Sequence, residues 1–133
     1  MSPEKQLDIA ITAATRAGDF LRRLENMTVD SSRGKDIKLS SDKLSESIIV
    51  ETLSSSNIPI LSEESGSIGN TSGRYWIIDP LDGSMNYYKG LDDFSCVSIA
   101  LWENGGPVLG VINRFARDEI FTGIPCGIAA LNG

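Results

Sequence analysis

The sequence contains no histidine. That absence excludes Ser-His-Asp and Cys-His nucleophilic sites, His-ligated zinc and imidazole acid–base chemistry. Cysteine is scarce: Cys96 and Cys126 stand far apart, without a CxxC pair and with too few partners for a zinc site. Each lies in an apolar segment and reads as a buried, reduced thiol. Basic residues are in deficit, 12 Lys and Arg against 18 Asp and Glu, leaving a formal charge of −6 at pH 7. Phosphate backbones and anionic membranes attract a basic face, so this balance argues against nucleic acid or a membrane as partner. No apolar run approaches the ~18 residues of a membrane span, and no signal peptide is visible at the N-terminus, which makes the cytoplasm the expected location. Nucleotide-binding loops are missing as well. There is no GxGxxG, Gly34-Lys35 lacks the preceding glycine of a P-loop, and Ser40-Ser-Asp-Lys43 fits S-x-x-K without its companion motifs.

What is present is an ordinary globular composition, 133 residues with 41% apolar and 23% charged, enough for one domain spanning residues 1–133. From Pro3 to Met27, Leu7, Ala10, Ile11, Ala14, Ala17, Leu21 and Leu24 recur at the spacing of one helix face. Ser2, Pro3 and Glu4 suit its cap, first position and first turn. A polar break, Ser31–Lys35, precedes a second helix from about Asp42 to Ser55, with Leu44, Ile48, Ile49, Thr52 and Leu53 predicted to face inward. Strand texture follows: Ile58–Ser62, a Gly/Ser-rich loop from Ser65 to Gly73, a buried strand Tyr75–Ile78 ending at Asp79, then Phe94–Trp102, Val108–Asn113 and Glu119–Thr122. Asn104-Gly105-Gly106 marks a hairpin. Helices first and strands after predict an α+β fold, two helices packed on one face of a mainly antiparallel sheet. The other sheet face needs cover that residues 126–133 do not supply, so a continuing chain or a partner is expected to provide it.

Three acidic places stand out: Asp42 before the second helix, Glu63-Glu64 after one strand, and Asp79-Pro-Leu-Asp82-Gly83-Ser84 after another. Each alone has a plain reading as helix cap, solvated loop or turn. Together, at the ends of neighbouring strands, they could converge. Converging carboxylates repel unless cations neutralise them, and an all-oxygen set without His or Cys selects Mg²⁺, Mn²⁺ or Ca²⁺. The Asp79-x-x-Asp82 spacing fails the calcium-loop pattern. A turn at Pro80 would present both aspartates and the Leu81 carbonyl to one side, and paired Mg²⁺ there would suit phosphoryl chemistry.

Trp76-Ile-Ile-Asp-Pro-Leu-Asp-Gly-Ser84, preceded by Leu61-Ser-Glu-Glu-Ser65, closely resembles the paired signature of the inositol monophosphatase family. The resemblance continues through Phe94–Leu101, Gly106–Ile112 and Gly127–Gly133. It implies Glu63, Asp79 and Asp82 as metal ligands, with the Leu81 carbonyl as a further one. Asp82, Gly83 and Ser84 match the phosphate-holding segment. Asp42, with Glu63 and Ser84, is placed in the catalytic set, Asp42 helping to activate the attacking water. The implied activity is Mg²⁺-dependent, Li⁺-sensitive hydrolysis of a small phosphate monoester, with two or three ions bound and often a homodimer. Inositol monophosphate is the default substrate. A 3′(2′),5′-bisphosphate nucleotidase or fructose-1,6-bisphosphatase activity is the alternative, and Asn86-Tyr87 favours the inositol type. Ser84 stands where the family usually has Thr, which keeps the hydroxyl with a freer rotamer. Family members are about twice as long, and their second half supplies another metal-ligating aspartate and the rest of an αβαβα sandwich. The chain therefore resembles the N-terminal half of such an enzyme, and a non-catalytic half-protein is the reading from another class.

Overall fold

The computed structural model describes residues 2–28 and 40–133; the polar break at 31–35 and the Gly34-Lys35 pair lie outside them. Helix α1 spans Pro3–Thr28. The Ser2 carbonyl accepts the Gln6 amide at 3.1 Å, the first bond of the helix, and the Ser2 hydroxyl accepts that of Lys5 at 3.4 Å, satisfying one of the free donors of the first turn. Its buried stripe is Ala10, Ala13, Ala14, Ala17, Leu21 and Leu24. Alanines there let the helix axis approach the sheet closely. The approach is tightest at Gly18, where an added Cβ would fall 2.3 Å from Asn113 Nδ2. That same amide donates to the Ala14 carbonyl at 2.8 Å, so a buried Asn is satisfied by the helix it supports.

Helix α2 spans Ser41–Leu53 and passes into a 3₁₀ turn at Ser54–Ser56, which ends at Asn57 in the left-handed region with φ 56°. Its buried residues are Ser41, Ser45, Ile49 and Leu53, a stripe with a step of four. Leu44, expected inward, is 42% exposed. The serines occupy the inner face because the end of the helix packs on polar backbone, where Ser45 Oγ donates to the Pro80 carbonyl at 2.8 Å. Ile49 and Leu53 join the core with Leu21, Trp76, Ile78 and Ile99. Each such buried aliphatic side chain contributes about 1.5–3 kcal/mol.

The described residues form one seven-stranded sheet. In chain order its strands are β1 Ile60–Ser62, β2 Gly66–Ile68, β3 Arg74–Asp82, β4 Cys96–Glu103, β5 Gly106–Arg114, β6 Glu119–Gly123 and β7 Ala129–Leu131. The spatial order is β2-β1-β3-β4-β5-β6-β7. Every neighbouring pair is antiparallel except β1 and β3, which run parallel. The hairpin after β4 turns through Asn104 and Gly105, with φ 53° and 79°, the two positive values a type I′ turn requires. A five-residue helix, α3, spans Ser84–Tyr88.

Several boundaries differ from the sequence expectation. The segment Ser65–Gly73 holds an edge strand, β2, whose short Gly-Ser-Ile sequence carries little strand signal. Strand β3 does not stop at Asp79 but runs to Asp82, with its pairing to β4 interrupted between those residues; Pro80 has no N–H to donate to the ladder. Phe94 precedes β4 and is 69% exposed. Neither cysteine is fully buried: Cys96 is half-buried, Cys126 is exposed, and both are free thiols.

Val97, Ile99, Leu101, Leu109 and Val111 pack toward the helices. The opposite face is open. Directly paired residues share a face, and the pairs Asp79–Ser98, Ser98–Ile112, Ile112–Phe121 and Phe121–Leu131 make one row across it. Ile112, Phe121 and Leu131 are 44%, 40% and 48% exposed.

Candidate active site

The parallel pairing of β1 and β3 decides where the acidic residues meet. In an antiparallel pair the C-terminal ends would point to opposite edges of the sheet; in a parallel pair they share one. Ser62 sits opposite Ile78, and the next amide, Glu63 N, donates to the Ile78 carbonyl at 3.0 Å. Glu63 is thereby fixed beside the start of Asp79–Asp82. The N-terminal turn of α2, which carries Asp42, reaches the same edge through the Ser45–Pro80 bond. Gly83 and Ser84, opening α3, complete the group.

Asp79 carries the electrostatic signature of the cluster. Burial first, then repulsion from Asp82 and to a lesser degree from Glu63 and Asp42, pushes its carboxyl up to about 6. The Leu81 amide, which donates to Asp79 Oδ1 at 3.3 Å, works in the other direction. Asp82, Glu63 and Asp42 thus all act on the Asp79 carboxyl. Their side chains remain spread: among the described residues no three His, Cys, Asp or Glu side chains close into a cation-holding group. The donor chemistry, carboxylate oxygen without nitrogen or thiolate, fits a hard divalent cation. Asp82 and Glu63 are exposed, Asp79 and Asp42 half-buried, and Leu81 is 5% exposed.

Gly83 takes φ 80°, and a Cβ there would lie 2.4 Å from the Phe94 carbonyl oxygen. Only glycine meets both conditions. Ser95 Oγ donates to the Gly83 carbonyl at 2.9 Å and Asn86 Nδ2 to the Phe94 carbonyl at 3.2 Å, pinning the turn from both sides. A hollow of about 420 Å³ opens beside it, bordered by Asp82, Gly83, Asn86, Ser95, Cys96 and Arg114. Arg114 is already engaged, donating to the Asp93 carbonyl at 3.0 Å and to Glu119 at 3.2 Å.

Four contributors escaped the sequence reading. Tyr88 donates its hydroxyl to Asp42 Oδ1 at 3.0 Å, and burial together with that carboxylate holds the phenol above its ordinary range. Cys96 lies opposite Asp82, with Sγ 4.0 Å from Oδ2; burial, then Asp82 and Asp79, push the thiol up to about 11. Glu46 accepts from both Ser62 and Ser65, and Ser45 holds Pro80. For Glu46 a signal existed in its place one turn after Asp42 on the same helix; Tyr88 and Cys96 gave none. The pair Asn86-Tyr87 also braces the fold: Asn86 Nδ2 donates to the Phe94 carbonyl, and Tyr87, fully buried, donates to the Leu21 carbonyl at 2.7 Å.

The layered helix-on-sheet arrangement is that of the sugar-phosphatase fold class. The model of the inositol monophosphatase family matches residues 2–133, and the chain belongs to that family. Nus factor SuhB of Pasteurella multocida is 38% identical over 125 residues, covering 89% of this chain and 46% of its own length. Inositol monophosphatase 3 of Solanum lycopersicum is 36% identical over 140 residues, covering 99% and 52%. The structure of an inositol monophosphatase from Anabaena superposes with a TM-score of 0.81 at 37% identity, covering 97% of this chain and 47% of that one. The chain spans about half the length of the curated relatives it matches. No described helix is long and apolar enough to cross a membrane.

Proposed function

We propose that residues 1–133 carry the cation-binding and phosphate-holding part of a Mg²⁺-dependent phosphomonoesterase acting on a small phosphorylated polyol, inositol monophosphate being the first substrate to test. The relatives' names divide between a Nus factor and inositol monophosphatases, so the family alone does not choose an activity. The observation that carries the reading is the parallel β1–β3 pair, which sets Glu63 beside Asp79–Asp82 at one sheet edge.

In this reading Glu63, Asp79, Asp82 and the Leu81 carbonyl hold the cation. When bound, Mg²⁺ supplies Lewis acidity toward a phosphoryl oxygen and toward water. Asp42 orients the attacking water and takes its proton. Its Oδ1 also accepts the Tyr88 hydroxyl at 3.0 Å, which orients the carboxylate. Ser84 helps to orient the same water, and the backbone of Gly83 and Ser84 approaches the phosphate where no Cβ intervenes.

The test is phosphate release by this chain with and without Mg²⁺, from inositol 1-phosphate, fructose 1,6-bisphosphate and 3′-phosphoadenosine 5′-phosphate, with Asp79→Asn as control. Mg²⁺-dependent turnover lost in the control supports the reading, and the preferred substrate assigns the subclass. Absence of turnover from every substrate would show that these residues are not catalytically sufficient.

A further inference from the structure

Glu46 belongs neither to the proposed cation ligands nor to the phosphate segment, yet both oxygens of its carboxylate accept hydrogen bonds. Ser62 Oγ donates to Oε2 at 2.6 Å and Ser65 Oγ donates to Oε1 at 2.5 Å. These two serines bracket Glu63-Glu64. Ser62 Oγ in turn accepts the Glu64 amide at 3.2 Å, while the Glu63 amide is held by Ile78. The loop bearing Glu63 is thus fastened at both ends to a single side chain on α2, and through its backbone to β3.

The same helix holds the other half of the site. Ser45, the residue before Glu46, donates to the Pro80 carbonyl, and Asp42 lies one turn earlier. One helix therefore contacts both the Glu63 loop and the Asp79–Asp82 segment, in addition to the strand pairing between them. A carboxylate suits this role: it accepts from two hydroxyls at once, and such charge-assisted bonds are short and about twice as strong as neutral ones.

We infer that Glu46 is a positioning residue for cation binding, acting through Ser62 and Ser65 to hold Glu63 at the reach of Asp79 and Asp82; this rests on the metal reading above. The test is Mn²⁺ affinity of the full chain, read by the loss of free-ion electron paramagnetic resonance signal, for wild type, Glu46→Ala, Ser65→Ala and the double variant. Alanine at a helix position and at an exposed serine should leave the fold intact, checked by circular dichroism and urea midpoint. Supporting side chains of this kind typically carry 10–100-fold in metal affinity. Glu46→Ala is expected to weaken Mn²⁺ binding about tenfold or more, and Ser65→Ala by less. The double variant should be no weaker than Glu46→Ala alone.

Unchanged affinity in folded Glu46→Ala, or a loss that disappears when samples are compared at equal folded fraction, would overturn the inference. Additive losses in the double variant would overturn the route through Ser65. A wild-type chain that binds no Mn²⁺ would instead overturn the metal reading itself. Amide exchange then decides the clamp alone: faster exchange confined to Glu63 and Glu64 in Glu46→Ala supports it, and unchanged exchange sinks it.

Discussion

Replacing Asp79 with Asn should stabilise the cation-free chain at neutral pH and leave it unchanged in acid. In the fold, the Asp79 carboxyl is raised from 3.8 to about 6 by burial first and by its acidic neighbours second. The folded state therefore holds a proton that the unfolded chain releases between those two values. Linkage gives the sign: wild-type stability is highest below pH 3.8, falls as pH rises through about 6, and levels off above it. A shift of that size corresponds to at most about 3 kcal/mol. Asp79 is only half-buried, so solvent screening reduces the figure to about 1–1.5 kcal/mol. Asn removes the charge while its Oδ1 can still accept the Leu81 amide, so the local turn survives. The assay is urea unfolding of both proteins in EDTA at steps from pH 3.5 to 8. The two curves should coincide near pH 3.5 and diverge by about 1–1.5 kcal/mol in favour of Asn by pH 7.5. Adding Mg²⁺ should stabilise wild type and not the variant. A difference independent of pH, or an Asn protein less stable than wild type at pH 7.5 in EDTA, would refute the argument that Asp79 is held ionised against its surroundings.

Gly83→Ala should destabilise by at least about 2 kcal/mol in the same unfolding assay, because a strained left-handed conformation costs about 1–3 kcal/mol and the new methyl also meets the Phe94 carbonyl. Leu53→Ala should cost about 2–5 kcal/mol as a core truncation, whereas Leu44→Ala, at an exposed position of the same helix, should stay within about 0.5 kcal/mol; equal losses would restore the inward face predicted from sequence. With a thiol reagent at pH 8, exposed Cys126 should be modified first and Cys96 slowly, since burial and the two aspartates hold Cys96 in its thiol form up to about 11; mass spectrometry of the singly labelled species decides the order. Ile112→Thr with Phe121→Thr should reduce self-association driven by the open sheet face, and a wild-type chain that sediments as a monodisperse monomer would remove the premise.

The two long helices, most strands and the packing of helices on the sheet were legible because each rests on a local pattern, whereas the five-residue α3 carried none. The alanine and leucine stripe of α1 has the helical period, and Asn104-Gly105 has the chemistry of its turn. Errors fall where tertiary structure overrides local preference. Leu44 carried the hydrophobic signal, but Ser41 and Ser45 took the inner face of α2 because the neighbour there is the Pro80 carbonyl and not an apolar core. Asp79–Asp82 was readable as a turn, yet it continues a strand, since Asp82 finds a partner in Cys96 beyond the bulge.

For the site, residue types were legible and their convergence was conditional. Glu63 and Asp79 meet only if the strands before them run side by side in the same direction, and β2, lying between them in sequence, is what makes that topology available. The chain leaves β1 through an antiparallel edge strand, β2, and re-enters on the far side of β1 as β3. A direct hairpin from β1 into β3 would have placed Asp79 and Asp82 at the opposite edge from Glu63. The Gly/Ser-rich stretch that looked like a passive connection is thus the excursion that turns two acidic motifs into one site. The serine at its entrance supplies one of the two hydroxyls by which Glu46 grips the loop. Connection and clamp thus act on the same few residues, which is why the Glu63 side of the site depends on this segment while the helix core does not.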